Sequence, residues 1–266
     1  MQATFDFSGK VVIVTGSTKG LGRAMVDGFA DAGAKVVVSS RKQDLCDQVA
    51  AELTERTGAE VLPLACHVGD WDAIPAFVEK VVERFGRIDV LVNNAGINPT
   101  SDSLMDTNID LWRKVFSVNL EGPLRMATCV APHMREVGGG SIVNIGSVSA
   151  ERPAPTVAAY GAAKAALANY TRTTGQEWLP KVRVNLVTVG MVRTELAHLH
   201  YGDEEGVRRT GAQIPIGRLA QPTEIGDVCV YLSSPMASYV SGASIEAHGG
   251  GDWPPFLDTP FRETGK

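Results

Sequence analysis

The sequence predicts an α/β protein built on a doubly wound, mostly parallel sheet of seven strands with helices on both faces. Short runs of β-branched residues alternate along the chain with longer segments of helical periodicity. The runs are apolar at successive positions, which is typical of strands buried on both faces. Six of them can be placed directly: Val11–Val14, Lys35–Val38, Glu60–Leu62, Ile88–Val92, Ser141–Ile145 and Val182–Val187.

The intervening segments have the spacing of amphipathic helices. From Ile74 to Phe85 apolar residues recur three and four positions apart, and Gly86 follows as a helix stop. A longer helix is expected from about Asn108 to Val137, with a kink at Pro123. Strands and helices in this alternation indicate a Rossmann-like fold.

The length and composition fit one domain. The chain has 266 residues, 44% of them hydrophobic and 21% charged, which is ordinary for a globular protein. Without an internal repeat or a linker-like stretch, we expect residues 1–266 to form one dinucleotide-binding domain. Two segments do not follow the pattern: an irregular substrate loop at about 191–216 and a C-terminal tail at about 249–266.

Charge and cysteine usage exclude several functions. A net charge of −5 with scattered basic residues argues against nucleic acid and favours a small-molecule substrate. The four cysteines are far apart without metal-ligand spacing, so no metal site and four buried, reduced thiols are expected. No stretch approaches a membrane span, and the start lacks the pattern of a signal peptide, so a cytoplasmic location is the default.

A glycine-rich turn follows the first predicted strand and leads into a helix. Glycines at this point let backbone amides approach a pyrophosphate, and the helix N-terminus adds a favourable dipole. Three glycines in an ordinary turn would mean little, but this placement favours a dinucleotide. The candidate contacts are Gly16, Ser17, Thr18, Lys19, Gly20, Leu21 and Gly22.

The end of the second strand predicts which dinucleotide binds. An acidic side chain there would accept hydrogen bonds from the ribose hydroxyls of NAD, but the chain has Ser40 and Arg41. Arg41 can pair with a 2′-phosphate, and Lys19 can add a second positive charge. Both could instead be solvated surface charges. We expect NADP(H) in preference to NAD(H).

Tyr160 and Lys164 are the candidate proton-transfer pair. Four residues apart on a helix, they share one face, so the ammonium can lower the pKa of the phenol. Ser147, at the end of the fifth predicted strand, would add a hydroxyl. The pair alone could equally be a packed ring beside a solvated charge, so its interpretation depends on the other motifs.

These motifs together resemble the short-chain dehydrogenase/reductase family over nearly the whole chain. Thr15–Gly22 is similar to the family's TGxxxGxG turn and Asn93–Gly96 to its NNAG motif. The resemblance implies a catalytic tetrad in which Tyr160 is the general acid or base and Ser147 holds the substrate oxygen. Lys164 would contact the nicotinamide ribose and stabilise the phenolate, and Asn119 would hold a water molecule that relays protons.

The resemblance also implies further cofactor contacts and shows where this chain departs from the family. His67 stands where an Asp usually holds the adenine, Val189 replaces a Pro before the nicotinamide segment, and His248 replaces an Asp near the C-terminus. His248 is expected to be structural or at a subunit contact. The further expected cofactor residues are His67, Val68, Asn94, Ala95, Gly96, Tyr160, Lys164, Gly190, Val192 and Thr194.

The substrate stays open among three alternatives. Few charges line the expected pocket, which favours an uncharged ketone or secondary alcohol. A 3-oxoacyl thioester is the second alternative, although Gln176 and Pro132 stand where reductases acting on acyl-carrier protein tend to have Arg. The third is a dinucleotide-binding scaffold or sensor without turnover, which retention of both Tyr160 and Lys164 disfavours. The resemblance further suggests a homotetramer packed through the two long helices. The C-terminal segment Trp253–Phe256 would either reach a neighbouring subunit or be flexible, since the last residues of the chain are polar.

Overall fold

Seven parallel strands form one sheet in the order β3-β2-β1-β4-β5-β6-β7. The computed structural model describes residues 5–100, 103–106, 108–153, 155–195 and 201–251. The strands are β1 Val11–Thr15, β2 Lys35–Ser39, β3 Val61–Pro63, β4 Val90–Asn93, β5 Gly140–Ile145, β6 Val182–Val189 and β7 Ser244–Ala247. The α-helices are α1 Gly20–Asp31, α2 Gln43–Thr57, α3 Ala73–Phe85, α4 Ile109–Phe116, α5 Gly122–Glu136, α6 Ala158–Glu177, α7 Glu204–Gly211 and α8 Pro222–Ser233.

Helices cover both faces of the sheet, as the continuous apolar runs predicted. In β1, Val12 and Val14 pack into a core with side chains of α1, α2 and α8. The alternate residues Val11 and Ile13 point to a second core shared with α3 and α5. All four are fully buried. A strand between two apolar layers has no polar face, which explains why β1 lacks alternation.

The strand order places a crevice at the carboxyl ends of β1 and β4. The chain moves outward from β1 through β2 to β3 and then returns to pair β4 with the other side of β1. The loops after β1 and β4 therefore leave the sheet in opposite directions. Ligands of open α/β sheets bind at such a switch point.

The helix expected from about 108 to 137 is in fact two α-helices separated by a π-helical turn at Ser117–Glu121. Pro123, where a kink was expected, lies in the first turn of α5, directly after this interruption of the helix. Inside the π-helical turn, the side-chain nitrogen Nδ2 of Asn119 donates to the backbone carbonyl of Val115 at 2.9 Å. This turn interrupts the regular α-helical pattern beside the crevice.

The segment expected to be an irregular loop contains the helix α7. Its N-cap is Asp203, whose side chain accepts a hydrogen bond from the backbone nitrogen of Gly206 at 2.9 Å. The acidic Glu204 and Glu205 follow in the first turn, where negative charge favours a helix. These polar residues suggested a loop from sequence, yet they start a helix. The tail predicted to reach a neighbour, Trp253–Phe256, lies outside the described residues.

The cysteine prediction needs one correction. Cys46, Cys66 and Cys229 are buried, but Cys129 is only partly buried on α5. All four thiols are free. Burial raises the pKa of Cys66 to about 11 and that of Cys229 to about 12, so both stay protonated at neutral pH. Among the described helices, none combines the length and apolarity needed to cross a membrane.

Candidate active site

The glycine-rich turn joins β1 to α1 at the crevice and fits a pyrophosphate. Gly16 and Gly20 have φ angles of +67° and +56°, which other residues rarely adopt. Gly22 has no space for a side chain, because a Cβ atom there would overlap the carbonyl oxygen of Gly16. The backbone therefore passes close to itself and turns amides of the α1 N-terminus toward the crevice, the arrangement that holds phosphate groups.

Residues after β4 hold this turn in place. The side-chain nitrogen of Asn94 donates to the carbonyl oxygens of Thr15 and Gly16, at 2.9 and 3.1 Å. The backbone nitrogens of Asn94 and Ala95 both donate to the Thr15 hydroxyl at 3.1 Å. Asn94 and Ala95, expected from sequence as cofactor contacts, thus bind the turn itself. Thr15, whose hydroxyl accepts two of these hydrogen bonds, was not among the site residues predicted from sequence.

Ser17 connects the turn to β2. Its hydroxyl accepts a hydrogen bond from the backbone nitrogen of Ser39 at 2.8 Å, and its own backbone nitrogen donates to the Ser39 carbonyl at 2.9 Å. The residue is fully buried. Ser17 therefore shapes the turn from behind. Thr18, Lys19, Gly20 and Leu21 are exposed or partly exposed, so they remain available to a ligand.

Exposed positive charge lies just after β2, at Arg41, and in the glycine-rich turn, at Lys19. Arg41 and Lys19 are exposed, and no carboxylate among the described residues pairs with either. The Ser40 hydroxyl lies 3.4 Å from the backbone nitrogen of Lys42, near the start of α2. Lys19 is the N-cap of α1 and Arg41 precedes the N-cap of α2, and an exposed cation next to a helix N-terminus fits a phosphate group.

His67 and Val68 follow β3 at the same edge. The backbone nitrogen of Cys66 donates to the Ser40 carbonyl at 2.8 Å, which brings His67 close to the end of β2. The imidazole is exposed, and its Nδ1 accepts from the backbone nitrogen of Gly69 at 3.1 Å. Its other nitrogen is thus the donor in the neutral ring. The Val68 side chain is buried in the core instead.

Ser147 and Tyr160 meet beyond the end of β5. The Ser147 hydroxyl accepts a hydrogen bond from the backbone nitrogen of Ser149 at 3.2 Å, which caps a short 3-10 turn. Burial raises the pKa of Tyr160 above its ordinary value, and a hydrogen bond with the Ser147 side chain partly offsets this. The two hydroxyls therefore lie close enough to share one oxygen atom of a ligand.

Lys164 is buried beside the Tyr160 ring. It is 3% exposed, and its Nζ donates to the carbonyl oxygen of Ile145 at 2.7 Å. The same atom lies 5.6 Å from the centre of the Tyr160 ring. Burial lowers the pKa of Lys164 to about 8. The shared helix face of Tyr160 and Lys164 predicted a lowered pKa for the phenol, but in the protein alone burial raises this pKa and the opposing effect comes from the hydrogen bond with Ser147.

The side chain of Asn119 connects the loop after β4 to the π-helical turn through hydrogen bonds. Its side-chain oxygen accepts from the backbone nitrogen of Ile97 at 3.2 Å, and its nitrogen donates to the Ile97 carbonyl at 2.9 Å. Gly96 lies between Asn119 and Lys164: a Cβ atom there would be 2.8 Å from Asn119 Oδ1 and 3.8 Å from Lys164 Nζ. The four residues of the predicted tetrad therefore come together from three parts of the fold: the π-helical turn, the end of β5 and α6.

The segment after β6 closes the other side of the crevice. Val189 still pairs with Ala247 of β7, so the absence of Pro at this position leaves the strand intact. A Cβ atom on Gly190 would be 2.7 Å from the Cβ atom of His248, which makes His248 a packing neighbour of this turn. Val192 is buried and forms a bridge with Ala220. 

Thr194, two residues further, lies over the glycine-rich turn. A Cβ atom on Gly20 would be 3.5 Å from the methyl carbon of Thr194. The expected contacts Gly190, Val192 and Thr194 are thus on the same side of the crevice.

A buried polar chain behind the site was not predicted. The side-chain nitrogen of Asn93 donates to Asn144 Oδ1 at 2.9 Å, and Asn144 Nδ2 donates to the Thr171 hydroxyl at 2.9 Å. The chain connects β4, β5 and α6, so it fixes the helix that carries Tyr160. Asn144 interrupts the apolar run of β5 in the sequence, and this was the available signal.

A cavity of about 430 Å³ lies beside α6 but not at this site. Its lining includes Gly161, Ala162 and Ala165 together with Ser149 and Arg152. At 100° per residue these three helix positions face away from Tyr160. The cavity is therefore separate from the reacting side chains.

Comparisons with known proteins agree with this geometry. A family model described as "Enoyl-(Acyl carrier protein) reductase" matches residues 16–251. "Dehydrogenase/reductase SDR family member 4" of Pongo abelii is 37% identical over 242 residues, which cover 91% of this chain and 87% of that protein. The chain belongs to the short-chain dehydrogenase/reductase family. It is an oxidoreductase of the class that acts on CH–OH or C=O groups.

Two solved structures of this family are similar throughout. L-Sorbose reductase from Gluconobacter frateurii, complexed with NADPH and L-sorbose, has a TM-score of 0.88 and 32% identity, covering 93% of this chain and 98% of that one. A gluconate 5-dehydrogenase from Burkholderia cenocepacia J2315, in complex with NADP and tartrate, has a TM-score of 0.87 and 30% identity, with 93% and 96% coverage. The Rossmann-like fold predicted from sequence is confirmed.

Proposed function

We propose that this short-chain dehydrogenase/reductase transfers hydride between NADP(H) and an uncharged ketone or secondary alcohol, with Tyr160 as general acid and base. The observation that carries the proposal is the convergence of Ser147, Tyr160 and Lys164 beside a turn built for a pyrophosphate. The two hydroxyls interact with each other, and the buried ammonium lies under the phenol ring. Such a group can hold one oxygen atom and exchange a proton with it.

The cofactor, when bound, supplies or accepts the hydride. In reduction, the Tyr160 hydroxyl donates its proton to the substrate oxygen while the Ser147 hydroxyl donates a hydrogen bond to the same atom. In oxidation, the phenolate of Tyr160 takes the proton back. Burial raises the pKa of this phenol, so the anion needs a positive charge nearby. Lys164 supplies it, because with a pKa of about 8 the amine is still mostly protonated at neutral pH.

Asn119 and Gly96 define the wall behind these groups. The three hydrogen bonds of the Asn119 side chain go to backbone atoms of Ile97 and Val115. The side chain therefore contributes to proton relay indirectly, by holding the loop and the π-helical turn in place. One lone pair of its oxygen remains for a water molecule.

NADP(H) is the proposed cofactor because two exposed cations, Arg41 after β2 and Lys19 in the glycine-rich turn, are available to a phosphate group. Neither has a carboxylate partner among the described residues, and β2 ends in serines without an acidic residue. A 2′-phosphate would give Arg41 the anion that its side chain lacks. Similar solved structures named with NADPH or NADP support the same choice.

An uncharged carbonyl compound is the proposed substrate class, and L-sorbose in a similar structure is such a ketone. A 3-oxoacyl thioester is a second candidate, because the matching family model is described by an acyl-carrier-protein substrate. Gln176 and Pro132 are exposed and uncharged on α6 and α5. They offer no charge for an acidic carrier protein, which favours a coenzyme A thioester within this second candidate.

Assembly and location are further proposals. A homotetramer through α5 and α6 would cover exposed aromatic surface such as Trp71, which is 42% exposed and lies 4.9 Å under the Arg125 guanidinium. We propose the cytoplasm as the location. The name of a relative from Homo sapiens, "Dehydrogenase/reductase SDR family member 2, mitochondrial", gives a different location for that protein.

The test is NADPH and NADH consumption with a panel of simple ketones, steroids and acyl thioesters. The proposal expects turnover with at least one ketone, faster with NADPH, and a loss of about 10²-fold to 10⁴-fold in Tyr160→Phe with cofactor affinity within about twofold. Tight NADPH binding without turnover of any compound would instead support the scaffold alternative. Substantial activity in Tyr160→Phe would contradict the acid role.

A further inference from the structure

We propose that Glu195 is an internal anion that occupies the phosphate-binding turn until a dinucleotide displaces it, an inference that rests on the proposed cofactor function. The carboxylate Oε2 of Glu195 accepts a hydrogen bond from the backbone nitrogen of Gly20 at 3.1 Å. Gly20 is the first residue of α1, so this N–H is one of the donors that a helix leaves without an internal partner. The contact joins two segments 175 residues apart in sequence.

The helix start has few other sources of negative charge. The N-cap residue Lys19 makes no side-chain capping hydrogen bond, and the first turn of α1 contains no acidic residue. Glu195 therefore supplies the anion that favours a helix N-terminus. A pyrophosphate is held by the same backbone donors and the same dipole. Both anions cannot use the Gly20 amide at once, so Glu195 and the dinucleotide compete.

The segment that carries Glu195 is fixed on its other side. The backbone nitrogen of Arg193 donates to the Ala220 carbonyl at 2.9 Å, and its guanidinium pairs with Glu204 of α7 at 2.9 Å. The Thr194 methyl group lies against Gly20. The segment is therefore anchored at Arg193 and contacts the turn through Thr194 and Glu195. Displacement of Glu195 by a dinucleotide would change this contact next to Thr194, the expected nicotinamide contact.

The competition predicts that removing the charge strengthens cofactor binding. Glu195→Gln keeps the size of the side chain but removes the negative charge from the helix start. We expect the Kd for NADPH to fall about 3-fold to 10-fold, from the strength of a charge at a helix N-terminus and of a charge-assisted hydrogen bond. The matched control is Glu205→Gln, which makes the same charge change on α7, where Glu205 pairs with Arg208.

The experiment is isothermal titration of the native protein and both variants with NADPH and with adenosine 2′-monophosphate. The second ligand has the 2′-phosphate but no pyrophosphate, so its affinity should not change in Glu195→Gln. The increase in Tm caused by a fixed concentration of NADPH should be larger in Glu195→Gln than in the native protein. Both readouts are independent of turnover.

Tighter NADPH binding in Glu195→Gln alone, with adenosine 2′-monophosphate unchanged, would support the inference. Equal NADPH affinity in native protein and Glu195→Gln would overturn it and leave the proposed function intact. Weaker binding would also overturn it, since the carboxylate would then assist the cofactor. An equal gain in Glu205→Gln would show a general charge effect and refute the specific contact. If the native protein binds no NADPH, the proposed cofactor function fails, and the inference fails with it.

Discussion

Replacing Lys164 with methionine is expected to stabilise the unliganded protein while abolishing its activity. Lys164 is 3% exposed, and no carboxylate among the described residues pairs with it. Burial lowers its pKa from 10.5 to about 8, a difference that corresponds to about 3 kcal/mol of unfavourable free energy at neutral pH. Loss of the hydrogen bond to Ile145 costs about 1.5 kcal/mol. Lys164→Met should therefore gain about 1 to 2 kcal/mol, or about 2 to 4 °C in Tm.

The pH dependence identifies the cause of this gain. Because the folded-state pKa of Lys164 lies below its unfolded value, the unfolded chain binds more protons between about pH 8 and pH 10.5. The native protein thus gains stability relative to Lys164→Met as pH rises through this window. Below pH 8 the unfolding free energy of Lys164→Met exceeds that of the native protein by the full expected amount.

Urea unfolding followed by circular dichroism, without cofactor, measures the effect at pH 7 and pH 9.5. Lys80→Met, which removes an exposed ammonium on α3, is the control and should change the unfolding free energy little at either pH. A Lys164→Met variant that is less stable than the native protein by the same amount at pH 7 and at pH 9.5 would contradict this prediction. Burial of the charge would then carry no cost.

Three further predictions concern the cofactor turn and the phenol. Arg41→Ala should raise the Kd for NADPH about 10-fold or more and that for NADH less than about twofold, since only NADPH carries the 2′-phosphate; equal losses would exclude this contact. Gly22→Ala should weaken NADPH binding and destabilise the fold by about 1 to 3 kcal/mol, because its Cβ would overlap the Gly16 carbonyl oxygen. The control Gly28→Ala should have little effect, since its Cβ makes only an ordinary contact at 3.5 Å. The rate of alcohol oxidation should rise with pH, because burial keeps Tyr160 protonated at neutral pH; a flat profile from pH 6 to pH 10 would contradict its role as base.

Much of the sheet could be predicted from sequence because burial on both faces leaves an unbroken apolar run. β1 is such a run, and its alternate residues enter two different cores. The edge strand β7, Ser244–Ala247, gave no such run, since its exposure alternates and it contains Glu246. The π-helical turn at Ser117–Glu121 could not be predicted from the local spacing of apolar residues either. It coincides with hydrogen bonds from Asn119 to a loop 22 residues away.

Within the site, local motifs indicated which residues are present but not what each one binds. Asn94 and Ser17 belong to motifs associated with the cofactor, yet their hydrogen bonds in the protein go to Thr15, Gly16 and Ser39. The contact between Glu195 and the glycine-rich turn depends on how two distant loops meet, which no local spacing reveals. Pattern reasoning thus finds the groups at the crevice, whereas their partners follow from the fold.

In the proposed reaction, hydride passes directly between the cofactor and a carbonyl carbon while Tyr160 donates or accepts the proton. The most direct measurement is mass spectrometry of the alcohol formed from a turned-over ketone and NADPH carrying deuterium at both C4 positions. We expect one deuterium in each product molecule with the native enzyme and almost no product with Tyr160→Phe. Consumption of NADPH without deuterium in the product, or equal product from Tyr160→Phe, would contradict the proposed reaction.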